Sequence, residues 1–128
     1  MLKQLAPLLK RAKKDKDIVA VMLFGSAARG EKYRDIDVAL VLRAGIDSGS
    51  MFDKRLDYLG EFSNLDIQIF NQLPLYIRQR ILKEGKILLQ NDTDALYDIA
   101  FDTIRAYEDF KSIYEGYLEA IENQYATA

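Results

Sequence analysis

Residues 18–42 read IVAVMLFGSAARGEKYRDIDVALVL, from Ile18 to Leu42. The run opens on seven apolar residues, Ile18 to Phe24, as expected of a β-strand buried on both faces. Gly25 permits a tight turn, and Ser26 is placed to cap a short helix from Ala27. The spacing then predicts a second strand over 35–42. Side chains two apart on a strand share a face, so Asp35 and Asp37 would stand side by side, roughly 6–7 Å apart. Ala39 and Val41 continue their face, and Ile36, Val38, Leu40 and Leu42 form the other. Two carboxylates at the end of a face that otherwise reads as buried would be costly without a counter-ion. A carboxylate pair beside a Gly-Ser turn suggests a metal-bound polyphosphate site.

Composition narrows the chemistry. The chain has 128 residues, the size of one domain, and 49% of them are hydrophobic, enough for a core. It has no cysteine, which removes disulfides and thiolate metal sites, and no histidine, which removes imidazole bases and His-ligated zinc. Any metal must be held by oxygen ligands, which points to Mg²⁺ or Mn²⁺. No apolar run approaches the roughly 20 residues that span a bilayer. The start, MLKQLAPLLKRAKK, lacks the apolar segment of a signal peptide, so a cytoplasmic location with no membrane contact is expected.

A net charge of −2 hides an asymmetry. Lys3, Lys10, Arg11, Lys13, Lys14 and Lys16 crowd the first segment, and acids dominate residues 92–128. So short a basic run reads as a solvated helix face, and the acidic end argues against nucleic acid as the main partner.

The rest of the chain places further elements. Leu2, Leu5, Leu8, Leu9 and Ala12 share one side of a helix, with a start or kink expected near Pro7. After the loop 44–50, Ser50 or Asp53 is expected to cap a helix through about Phe62. Residues 64–70 alternate as a third strand, and Asp66 is its only acid. Strands pair at about 4.8 Å, so Asp66 could join the Asp35/Asp37 pair if the two strands are neighbours, which the sequence leaves open. Pro74 opens a helix ended by Gly85 as a C′ residue, and Lys86 to Gln90 is a short fourth strand. Asp92 or Thr93 caps a long helix to about Tyr125, with a heptad-like seam of Leu96, Ala100, Thr103, Tyr107, Phe110, Tyr114, Tyr117 and Ile121. That seam is expected to serve partly as core and partly as interface.

The run Leu23-Phe24-Gly25-Ser26-Ala27-Ala28-Arg29-Gly30, followed by Asp35-Ile36-Asp37, resembles the signature of the nucleotidyltransferases of the DNA polymerase β superfamily. Size and the GSxARG form resemble its minimal nucleotidyltransferases (MNT). The resemblance covers roughly residues 15–90. It implies an α/β fold of the polymerase β-like type: a small mixed sheet with flanking helices and a long C-terminal helix. Residues 1–128 would form a single nucleotidyltransferase domain, with its core over 15–90 and a helical extension over 92–126.

The resemblance also implies neighbouring strands for Asp37 and Asp66, and an Mg²⁺-dependent transfer of AMP from ATP to a hydroxyl. Asp35, Asp37 and Asp66 would be the catalytic and metal-holding residues, with two ions about 3.5–4 Å apart. Gly25 and Ser26 would donate to the β- and γ-phosphates, and Arg29 would clamp them, unless it only pairs with Glu31. Asp66 is the best candidate base. Stand-alone MNT proteins are often antitoxins paired with a HEPN-domain ribonuclease, some of which they silence by adenylylating a tyrosine. The HEPN signature needs a histidine, so this chain is not the toxin. The implied partner is a HEPN-type toxin; self-association through the C-terminal helix is the other option.

Two further hypotheses stand beside the enzyme. One is a catalytically weak binding antitoxin that neutralises its partner by occlusion, favoured by a Ser26-to-Asp35 connection shorter than in many members. The other is an enzyme acting on a small molecule such as an aminoglycoside, which usually requires a larger substrate domain.

Overall fold

The computed structural model describes residues 1–126. In chain order they form α1 (Leu2–Lys13), β1 (Ile18–Phe24), α2 (Gly25–Ala28), β2 (Asp37–Leu42), α3 (Ser48–Glu61), β3 (Asp66–Ile69), a 3-10 turn (Phe70–Gln72), α4 (Leu75–Glu84), β4 (Lys86–Gln90) and α5 (Thr93–Ala126). The strands lie in one mixed sheet of order β3-β2-β1-β4. β1 runs antiparallel to β2 and β4, and β2 runs parallel to β3.

Both faces of the sheet are covered, which is why β1 and β2 read as nearly unbroken apolar runs. On one face Val21, Leu23, Val38, Leu40, Ile67 and Ile69 pack with Leu5, Leu8 and Ala12 of α1 and Tyr58 of α3. On the other, Val19, Met22, Ala39, Val41 and Phe70 pack with Ile81 of α4 and Leu96 of α5. The alternation read from residues 36–42 is the one observed, so Asp37 belongs to the α4/α5 face.

Several local expectations are corrected. α1 starts at Leu2, ahead of Pro7, and continues past it; the missing N–H would have bonded the carbonyl of Lys3, which lies in an exposed first turn open to water. α3 is capped by Asp47, whose Oδ1 accepts from Ser50 N–H at 2.8 Å, so Ser50 completes the cap without being it. β3 starts at Asp66, later than residue 64, because residues 62–65 turn to bring Leu65 N–H onto Phe62 O. Gly85 does not take the left-handed conformation of a C′ residue; its φ is −72°. A Cβ there would lie 2.9 Å from Leu23 O, so the glycine is required for close approach of α4 to β1.

α5 is 34 residues long, about 50 Å at the helical rise. Its seam divides. Leu96 and Thr103 are buried against the sheet domain, Ala100 and Tyr107 are half-buried, and Phe110, Tyr114 and Tyr117 are 56%, 51% and 62% exposed. Asp92 caps the helix by accepting from Ala95 N–H at 3.1 Å. Among the described residues no helix is long and apolar enough to cross a membrane.

Candidate active site

Asp37 opens β2 and Asp66 opens β3, and the parallel register sets them directly opposite each other. The Asp66 N–H donates to Ile36 O at 3.0 Å, which fixes that register at the strand ends. Both side chains are half-buried on the α4/α5 face. Desolvation, the hydrogen-bonded Asp66 carboxyl and the nearby charge of Asp35 push the Asp37 carboxyl up to about 6, and Arg29 opposes this weakly. Gln68, two residues on from Asp66 along the same face, donates from Nε2 to Asp66 Oδ1 at 3.2 Å. Its signal in the sequence was the strand period alone.

Asp35 is placed differently from the expectation. It lies in an exposed bend before β2, not on the strand. The bend is the physical consequence of buried Ile36, which is 3% exposed and turns inward one residue before pairing begins. The charge of Asp35 nonetheless acts on Asp37 from this bend.

The turn after β1 meets the carboxylates at close range. Gly25 has φ +72°, and a Cβ there would overlap Asp37 Oδ2 and lie 3.2 Å from its Cγ. α2 starts at Gly25, with Phe24 in the N-cap position, so Ser26 lies inside the helix and is not its cap. Its hydroxyl makes no hydrogen bond among the described residues. Arg29 follows α2. Its Nε donates to Glu31 Oε2 at 3.0 Å and its Nη2 to Glu31 Oε1 at 3.2 Å, the pairing weighed as the alternative to a phosphate clamp.

Arg29 also lines a cleft of about 220 Å³ with Phe24, Gly25, Ile77, Arg80, Ile81 and Glu84. The cleft lies between the Gly25 turn and α4, on the sheet face that carries Asp37. Sequence reasoning missed Arg80 and Glu84. They sit four apart on a helix whose sequence gives no hint that it faces the turn.

The donor set can be tested against a metal. The local ligands are carboxylate oxygens alone, which suit a hard divalent cation. Two of them, Asp37 and Asp66, are close enough to share a proton, and a cation would relieve the repulsion that raises Asp37. Among the described residues, no group of three or more acidic side chains is disposed to hold an ion as it stands. The Asp37–Asp66 pair therefore fits a cation.

Comparison with known proteins agrees with this architecture. The family described as polymerase beta, nucleotidyltransferase matches residues 6–94. The chain belongs to this nucleotidyltransferase family. It is 36% identical over 80 residues to a candidate protein adenylyltransferase of Methanocaldococcus jannaschii, and spans 60% of that protein's length and 60% of its own in the match. Its fold is similar to a chain of a toxin–antitoxin complex with AMP-PNP, at 19% identity and a TM-score of 0.66, covering 93% of this chain and 96% of that one. It is also similar to a chain of the Shewanella oneidensis complex of a tri-AMPylated HEPN toxin with an MNT antitoxin, at 17% identity and a TM-score of 0.60, covering 93% of each. These likenesses establish the polymerase β-like fold, with its mixed sheet, flanking helices and long C-terminal helix.

Proposed function

We propose that the chain transfers AMP from ATP to a hydroxyl acceptor, a tyrosine of a HEPN-type ribonuclease toxin, and thereby acts as that toxin's antitoxin. The observation that carries this reading is the Asp37–Asp66 pair, set in register on adjacent strands and pressed against the Gly25 turn. The adenylyltransferase name of the archaeal relative and the AMPylated toxin of the Shewanella complex support the choice of nucleotide and acceptor. A cytoplasmic location goes with ATP as the substrate.

Asp35, Asp37 and Asp66 are assigned to hold Mg²⁺, with two ions expected. Bound there, the metal supplies neutralisation of the triphosphate and a lowered pKa for the attacking hydroxyl. Asp66 takes the proton of that hydroxyl as its oxygen bonds to the α-phosphorus. The bond from the α-phosphorus to the bridging oxygen breaks, and pyrophosphate leaves. Gly25 leaves room for the Asp37 carboxylate, and the free Ser26 hydroxyl and the turn N–H groups donate to the β- and γ-phosphates. Arg29 must exchange Glu31 for phosphate to act as a clamp. In this scheme residues 1–128 act as one domain: 15–90 do the chemistry, and the 92–126 extension meets the partner.

A second reading has one observation in its favour. Asp35 lies in an exposed bend and no three acids converge, as suits an antitoxin that neutralises by occlusion alone. One experiment separates the two. The protein is incubated with ATP labelled at the α-phosphate, Mg²⁺ and a HEPN-type ribonuclease toxin, and label on the toxin is measured. Metal-dependent labelling lost with Asp37→Asn is the expected result. A toxin that is neutralised but never labelled would overturn the enzymatic reading and leave occlusion.

A further inference from the structure

We propose that Arg29 and Arg80 form a two-guanidinium clamp for the triphosphate, and that Glu84, held between them, is displaced by the triphosphate together with the Glu31 partner of Arg29. The inference rests on the nucleotidyl-transfer reading and deepens it. It adds Arg80 as a positioning residue and Glu84 as a built-in competitor at the same site.

One oxygen, Glu84 Oε2, lies 3.6 Å from Arg29 Nη1 and 3.4 Å from Arg80 Nε. The arginines come from different elements, the turn after α2 and the middle of α4, and converge on the cleft that Gly25 also lines. Phe24, Ile77 and Ile81 supply apolar lining to the same cleft. Because Gly25 abuts Asp37, an anion bound between the arginines lies beside the carboxylate pair. A triphosphate reaching the metal site needs its charge met on that side.

Three features mark Glu84 as a placeholder. It ends α4, where a negative charge opposes the helix dipole, and its i,i+4 pair with Arg80 runs in the less favourable order, base before acid. Its position is rigid, because Gly85 seats the end of α4 against β1 and donates to Ile81 O at 2.7 Å. Its contacts are long for charge-assisted hydrogen bonds, which favour about 2.7–2.9 Å, so one carboxylate serves two forks poorly. A phosphate chain carries oxygens enough to meet both guanidinium planes.

The test is titration of the wild type, Glu84→Gln, Arg80→Ala and Arg80→Lys with Mg²⁺-ATP and with inorganic tripolyphosphate. Circular dichroism confirms that each variant folds. Glu84→Gln is expected to bind both ligands about fivefold tighter, the factor of one exposed ion pair removed from competition. Arg80→Ala is expected to bind about tenfold weaker and to raise KM for ATP with little change in kcat, and Arg80→Lys to recover part of the loss. A Glu84 that stands clear of the bound phosphates would leave binding unchanged when neutralised. Unchanged or weaker binding by Glu84→Gln, or unchanged binding by Arg80→Ala, overturns the clamp and leaves the nucleotidyl-transfer reading standing. Folded wild-type protein that binds neither ligand overturns that reading itself, and the clamp with it.

Discussion

Asp37 and Asp66 face each other across adjacent parallel strands, although the whole of α3 separates them in the chain. This one register does two things. It gathers two charges into a half-buried site, where desolvation and mutual repulsion push Asp37 up to about 6. It also makes the site unstable as an ionised pair, so that a cation binding there relieves a cost already present.

Asp37→Asn follows from that cost. A raised carboxyl pKa means that the folded chain holds a proton more firmly than the unfolded one. Stability from this group is therefore full below about 4 and is lost as pH rises through about 6. The amide removes the penalty. The variant is expected to be more stable than wild type by about 1 kcal/mol at pH 7.5, after allowance for solvent screening, and the gain should vanish near pH 4. It should also lose Mg²⁺ binding and label transfer. Thermal melts at the two pH values and calorimetry check both halves; a variant less stable at pH 7.5 would refute the repulsion argument.

At Gly25 the argument is steric. A side chain must enter a left-handed conformation and overlap the Asp37 carboxylate at once. Gly25→Val is expected to lose ATP binding more completely than Arg29→Ala, whose side chain already has Glu31 as a partner. Titration with ATP ranks them, and normal binding by Gly25→Val would put the triphosphate elsewhere.

At the far end of the sheet, Lys54 Nζ lies 2.9 Å from Asp15 Oδ2 and 3.0 Å from Asp17 Oδ2, and Tyr58, wholly buried, donates to Asp15 Oδ2 at 2.9 Å. Burial works to raise Asp15, but Lys54 and the donors from Asp17 N–H and Tyr58 hold it below the usual range. Lys54 and Arg43 lower Asp17 likewise. A lowered folded pKa contributes stability above the unfolded value, lost as pH falls through the folded one. Lys54→Met is expected to cost about 2 kcal/mol at pH 7 and progressively less below pH 4. Label transfer by the folded fraction should be unchanged, which an activity assay below the melting temperature reads out.

The distal half of α5 gives the partner prediction. Phe110 and Tyr114 stack with ring centroids 6.0 Å apart, and with Tyr117 they form an exposed aromatic stripe on a helix segment that also carries Glu108, Asp109, Lys111, Glu115 and Glu119. The acidic excess of that segment disfavours pairing with a second copy and favours a partner with basic residues around an apolar contact. Tyr114→Glu with Tyr117→Glu is expected to release the toxin in co-purification while Mg²⁺ and ATP binding stay within about twofold, since both residues lie outside the sheet domain. Unfolding of the double variant would show instead that the stripe is structural.

The sequence by itself determined the elements and their chemistry. The apolar runs of β1 and β2 required a sheet covered on both faces, Pro74 and Asp92 marked helix starts, and the lack of cysteine and histidine left only oxygen ligands. These features are local, because strand period, capping and donor type act within a few residues. The tertiary structure decided what non-local pairing controls. The parallel register brought Asp66 to Asp37. The inward turn of Ile36 moved Asp35 into a bend, and the seating of Gly85 on β1 carried Glu84 and Arg80 to the cleft beside Gly25. No spacing along the chain encodes these contacts, because each depends on how two elements far apart in sequence pack against the same sheet.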